Sequence, residues 1–308
     1  MNRFLWLIRR EIWEARAVWI APVICAAIVV GGAVIAGLWS NHIEFGMDGA
    51  ELSDLHSQLT PAKLDSLASM MLAGVAIPFL IMVMFTQFFY SIDALFGERR
   101  DRSVLFWKSL PVSDAETVLS KLCVATVVMP AAAAAGLFVA QIGVCAAAAI
   151  KFAWVPGLQA HLWNPVVWLN VMSLDVYLMV TSMLWYLPMI AFYLLVSALA
   201  PRSPFGFAVL VPLGAILAER IVFGSRFIAQ MLFMRSPVGL FAHIFGPQGT
   251  HGLGFVFKKT DMDIPQSLFS IMKPFDFLAS PALWLGLVVG GGLIAGAIWA
   301  RRYRDATN

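Results

Sequence analysis

Six stretches of this chain run without a single Asp, Glu, Lys or Arg: residues 17–39, 66–92, 122–150, 176–201, 203–218 and 277–300. Five of them hold 23 to 29 residues and the fifth in order holds 16, ending at Glu219 and Arg220. A helix rises about 1.5 Å per residue, so about 20 apolar residues cross a hydrocarbon layer with every backbone amide satisfied internally. These windows predict an all-α polytopic membrane protein with six transmembrane helices. The expected spans are about 17–39, 66–96, 117–150, 176–201, 203–223 and 277–300. The rest of the composition agrees: 60% of residues are hydrophobic and 13% charged, against about 25% charged in soluble domains. A net charge of +3 is too small to argue for nucleic acid. Cys25, Cys123 and Cys145 lie inside apolar runs and read as small buried hydrophobes.

Two more charge-free windows are rejected as spans. Segment 152–174 carries Pro156, Gly157, Asn164, Pro165 and Asn170, and its Trp154, Trp163 and Trp168 suit an interfacial belt. Segment 236–257 carries Pro237, Pro247 and five glycines, a poor helix in any solvent. With six spans and both ends inside, 13 of the 21 basic residues fall in short cytoplasmic pieces and 8 outside, the bias that sets orientation. Residues 3–16 precede the first span as an in-plane amphipathic helix. Phe4, Leu5, Ile8, Ile12 and Ala15 share its apolar face, with Arg10 and Glu14 one turn apart opposite them. The largest outer piece, 221–276, opens with Phe227-Ile228-Ala229-Gln230-Met231-Leu232-Phe233-Met234. That run is too short to span and apolar enough to dip into the membrane as a re-entrant helix.

The most informative stretch lies between spans two and three. Glu98-Arg99-Arg100-Asp101-Arg102 is a mixed-charge cluster at the membrane exit, followed by apolar Val104, Leu105, Phe106, Trp107 and Leu110 and closed by Pro111. Ser113 and Glu116, three residues apart, form a capping box that starts the next helix. Topology alone accounts for the arginines but not for Phe106-Trp107; exposed aromatics of this kind mark docking sites for a partner. A short segment pinned between two long spans is a lever on both.

At this loop the sequence resembles the ABC-2-type exporter permeases. The residues that carry the likeness are Glu98 to Ser103, then Phe106-Trp107-Lys108-Ser109-Leu110-Pro111-Val112-Ser113. The amino-terminal in-plane helix, the six spans and the long last outer loop match as well, so the resemblance covers nearly the whole chain. It implies a transmembrane subunit that pairs with a second permease copy, as homo- or heterodimer, and with cytoplasmic ABC ATPase subunits. The 98–116 loop is then the coupling segment, with Glu98, Arg99, Arg100, Asp101, Arg102, Phe106, Trp107, Leu110 and Pro111 against the ATPase. Glu219, Arg220, Phe227 and Met231 fall at an outer gate. A bacterial inner-membrane location follows from the same resemblance. The Gly-rich stretch 246–254 is a departure from the family's minimal outer loop.

No phosphate-binding loop of the GxxxxGK[ST] kind is present, so ATP and Mg belong on the partner subunit and this chain is not an enzyme by itself. The five histidines (His42, His56, His161, His243 and His251) show no metal-ligand spacing. Within the predicted spans the polar groups are Thr86, Gln87, Tyr90, Gln141, Thr181, Ser182 and Tyr186, with Asp93 and Asp175 expected at span ends. This pattern argues against a membrane-embedded enzyme and against an ion-coupled carrier. A non-transporting scaffold or sensor on the same permease fold is the other reading the sequence leaves open.

Overall fold

The computed structural model describes residues 3–39, 61–103, 112–151, 158–236, 239–240 and 272–304. Among these residues all regular secondary structure is helical, with no strand, and six helical segments are long and apolar enough to cross a membrane. Phe106, Trp107, Leu110 and Pro111 of the 98–116 loop, and the Gly-rich 246–254, lie outside the described residues.

Helix α1 (Arg3–Glu14) precedes span one, α2 (Ala17–Trp39). Span two is built from α3 (Pro61–Gly74), α4 (Ala76–Asp93) and the short α5 (Phe96–Arg100). Its interruption after Gly74 has a local cause. Pro78 has no N–H to give the carbonyl of Gly74, four residues back, which weakens the helix at this turn. The segment ends at Arg102, whose φ of 56° lies in the left-handed region and turns the chain out of the helix axis.

Span three opens with α6 (Asp114–Cys123), passes through a π-turn (Val124–Val128) and continues as α7 (Met129–Lys151). The Ser113 hydroxyl accepts from the Glu116 N–H at 3.1 Å, while Glu116 Oε2 accepts from the Ser113 N–H at 2.8 Å. Ser113→Ala is therefore expected to cost about 1 kcal/mol, read as a lower unfolding midpoint with unchanged helix content. Pro130 offers no N–H to the carbonyl five residues earlier, and that orphan, Ala125 O, accepts instead from Gln87 Nε2 of span two at 2.8 Å.

After α8 (Leu158–Leu162), span four is α9 (Pro165–Leu199), 35 residues long. Its start corrects the expected boundary at 176. Asn164 accepts from the Val166 N–H at 3.0 Å and Pro165 takes the first helical position, so the rejected window supplies ten residues to the span. The Pro and Asn residues that argued against a helix are its cap. Trp163 and Trp168 stack at this end, 6.1 Å apart. Span five is α10 (Pro204–Val222), followed by α11 (Phe227–Met234), α12 (Pro274–Ala279) and span six, α13 (Pro281–Arg304).

Span four is the axis of the bundle. Trp185, Ile190 and Leu194 are fully buried along it, and spans two and six pack against it. Span one lies on span three, where Gly136 and Gly143 leave room: a Cβ at Gly143 would sit 2.6 Å from Val30, and one at Gly136 2.9 Å from Pro22. Span five buries only Ala208 and Glu219, leaving the rest of its surface to lipid or to another chain.

Candidate functional site

The stems of the 98–116 loop meet at one end of the bundle. Glu98, on α5, is 7% exposed. Its Oε2 accepts from Arg301 of span six at 2.7 Å, and its Oε1 lies 3.1 Å from Lys121 Nζ and 3.7 Å from Arg10. Lys121, on α6, also donates to Glu11 of α1 at 2.8 Å, and Glu11 accepts from the Tyr90 hydroxyl at 3.0 Å. Arg301 reaches Asp114, the first residue of α6, at 3.1 Å. Three carboxylates (Glu11, Glu98 and Asp114) thus meet three cations (Arg10, Lys121 and Arg301), drawn from α1, both loop stems and the end of span six. Because Arg10 and Arg301 share Glu98, the first helix and the last span end on the same face.

A second set of bonds ties spans two and four at this face. Arg99 donates to Ser197 O at 2.5 Å and Ala200 O at 3.0 Å, two carbonyls that the end of span four leaves without helical partners. In return, Ser197 Oγ accepts from the Leu95 and Phe96 N–H groups at 3.0 and 2.9 Å.

The five charged residues of the motif therefore divide. Glu98 and Arg99 turn inward and are committed to bonds within the chain. Arg100, Asp101 and Arg102 remain exposed, with Arg100 3.2 Å from Asp101 and 3.8 Å from Asp93. A docking surface at this loop has the second group to offer, and the first group holds the platform beneath it.

Sequence reasoning missed Glu11, Asp114, Lys121 and Arg301 as a unit. One signal was present: a lone glutamate on the apolar side of an amphipathic helix. The expected face of α1 is displaced accordingly. Its buried residues are Leu7 and Glu11, and Ile8, Ile12 and Ala15 pack against Val18, Val124, Met129 and Ala132, while Leu5 is 62% exposed. Lys121 attracts Glu11, and the helix rolls to bring it in. Arg10, which also borders Glu98, forms the expected one-turn pair with Glu14, at 2.6 and 2.9 Å.

At the opposite end of the bundle the predicted gate residues separate. Glu219 is buried and accepts from the N–H groups of Phe227 and Ile228 at 2.6 and 2.7 Å and from the Ser225 hydroxyl. It caps α11, where a carboxylate meets the positive end of the helix dipole; Arg220 is exposed and makes no ion pair with it. Phe227 and Met231 are exposed on α11. Beyond α11, Arg235 enters the bundle. It donates to Trp185 O at 2.7 Å and Ala282 O at 2.6 Å, and its guanidinium lies 4.2 Å from the centre of the Trp185 ring. Burial pulls its pKa down from the ordinary arginine value. Of the histidines, His161 is described; it lies 2.7 Å from Asp65, which also accepts from Asn164 at 3.1 Å. Among the described residues no cluster of His, Cys, Asp and Glu has the makings of a metal site.

Family models, curated proteins and solved structures were all compared with this chain, and none matches it.

Proposed function

We propose that this chain is the membrane-spanning subunit of an ATP-driven exporter of the ABC-2 type. In this reading two permease copies form the path and a separate cytoplasmic ATPase docks on the 98–116 loop. The bacterial inner membrane holds the complex, with both termini on the ATPase side. The observation that carries the reading is the charge cluster around Glu98. It locks both stems of the loop to α1 and span six, so a force applied between residues 103 and 112 reaches spans two, three and six as one body. A loop that served only to connect two helices has no use for such a clamp. Under the same reading, α11 is a re-entrant helix at the outer gate, its amino end held by Glu219.

The test is a pull-down of the tagged chain in mild detergent, with and without a hydrolysis-blocked nucleotide state. Trp107→Ala and Arg100→Glu are expected to lose an ATPase partner that the native chain retains in equal stoichiometry, while leaving the unfolding midpoint unchanged. Recovery of the chain alone, or undiminished ATPase recovery with both variants, sinks the docking reading. A scaffold on the same fold is separated from a transporter by one further measurement: whether added substrate stimulates the partner's ATP hydrolysis.

A further inference from the structure

The longer span four changes the place of one residue. Expected at a span end, Asp175 instead sits inside α9, seven residues and therefore about 10 Å past Trp168 towards the middle of the bundle. Its Oδ2 accepts from Gln141 Nε2 of span three at 2.7 Å, and the same amide reaches Leu72 O of span two at 3.3 Å. Gln141 is fully buried. Two oxygens in this contact are buried without any donor: Asp175 Oδ1 and Gln141 Oε1. Beside them is a cavity of about 30 Å³ between spans two, three and four, lined by Phe79, Val83, Ala133, Leu137 and Leu178 together with Asp175. Among the described residues no Lys, Arg or His comes within ion-pair distance of Asp175.

An ionised carboxylate here would hold its charge against apolar walls with one amide as its donor, a costly arrangement. The two orphaned oxygens suggest what is missing. They flank the Gln141–Asp175 hydrogen bond, and both are acceptors. One proton on Oδ1, donated to Oε1, satisfies both and closes the ring of a carboxylic acid paired with a carboxamide. We propose that Asp175 is an intramembrane proton-binding site, which in its protonated form pairs with Gln141 and holds spans two, three and four together. The carboxylate takes its proton from hydronium and releases water; deprotonation reverses this and leaves a charge that breaks the ring.

Several other titratable groups are present at this end of the bundle. Asp65 and His161 are occupied with each other, Cys145 donates to Leu162 O at 3.4 Å, and Tyr177 lies within electrostatic reach of Asp276. None of them hydrogen-bonds Asp175.

The experiment is infrared spectroscopy of the full chain in lipid nanodiscs with isotope-labelled aspartate. At pH 5, where an ordinary aspartate is ionised, a protonated carboxyl band is expected that disappears in Asp175→Asn. In Gln141→Met the band should persist but move to higher frequency, because the carbonyl loses its amide partner; this variant leaves Asp175 in place should the Asn variant fail to fold. Exchanging sodium for a bulky organic cation should leave the native band unchanged. Absence of a protonated band at pH 5 overturns the proposal. So does a band that forms only when sodium is removed, which assigns the cavity to a metal cation, or one that Gln141→Met does not shift.

Discussion

Glu98→Gln is expected to destabilise the chain by about 3–5 kcal/mol, the usual result of removing one partner from a buried ion cluster. Glu98 touches Arg10, Lys121 and Arg301 together. Without it, the buried Lys121 and Arg301 each lose a carboxylate contact and Arg10 keeps Glu14, so the buried end of the cluster carries excess positive charge. Equilibrium unfolding in mixed micelles measures the loss. Lys121→Met is expected to be costly alone, since it strips Glu11 of its cation, but combining it with Glu98→Gln removes one charge of each sign. The double variant should then lose less than the sum of the singles, by about 1–3 kcal/mol. Arg100→Glu, with an exposed side chain, is expected within about 0.5 kcal/mol of the native chain. Strict additivity, or a Glu98→Gln midpoint equal to the native one, would show that the cluster does not hold the loop stems.

The second large effect concerns Arg235. A Cβ at Gly286 would collide with its guanidinium, so the glycine of span six is what admits the arginine. Gly286→Ala is expected to expel Arg235 from its stack on Trp185 and from two carbonyls. The loss is on the order of 3 kcal/mol, combining a desolvated cation–π contact with charged hydrogen bonds. Arg235→Ala should cost a similar amount. In the Arg235→Ala background, however, Gly286→Ala should be nearly neutral, because nothing is left for the methyl group to displace. Pro188 has no N–H for the carbonyl of Leu184 and loosens that turn, and the guanidinium bonds to the next carbonyl, that of Trp185. Lysine is a poor replacement, since a single ammonium cannot stack on the indole and reach both carbonyls as a planar fork does. A full-size penalty for Gly286→Ala in both backgrounds would rule out this coupling.

The six-span helical architecture was legible because charge-free length is a physical necessity in lipid, and no tertiary contact can waive it. Boundaries were less legible where one residue type serves two roles. Pro165 and Asn164 look like loop residues in a window and are a helix start in place. The charge cluster was half visible. Glu98-Arg99-Arg100-Asp101-Arg102 stands out as a run, but a run says nothing about direction, and the inward turn of Glu98 and Arg99 depends on Arg301 and Ser197, some 200 and 100 residues away in the chain. The pairing of Glu11 with Lys121 across 110 residues is hidden for the same reason. Asp175 was misplaced because the end of its span was. Once α9 is allowed to start at Pro165, an ionisable residue inside the bundle follows from counting.

The π-turn in span three sets a phase. On a regular helix, Lys121 and Gln141, twenty residues apart, point about 200° from one another. Absorbing one extra residue at Val124–Val128 brings them to about 100°. One half of the span can then address the ion cluster while the other addresses Asp175. The number of residues between 121 and 141 is therefore a quantity in its own right, independent of which residues they are. Inserting one more of them would return the two polar ends to about 200° apart, where they no longer find their partners at the same time, whereas deleting one would abolish the bulge and keep the phase.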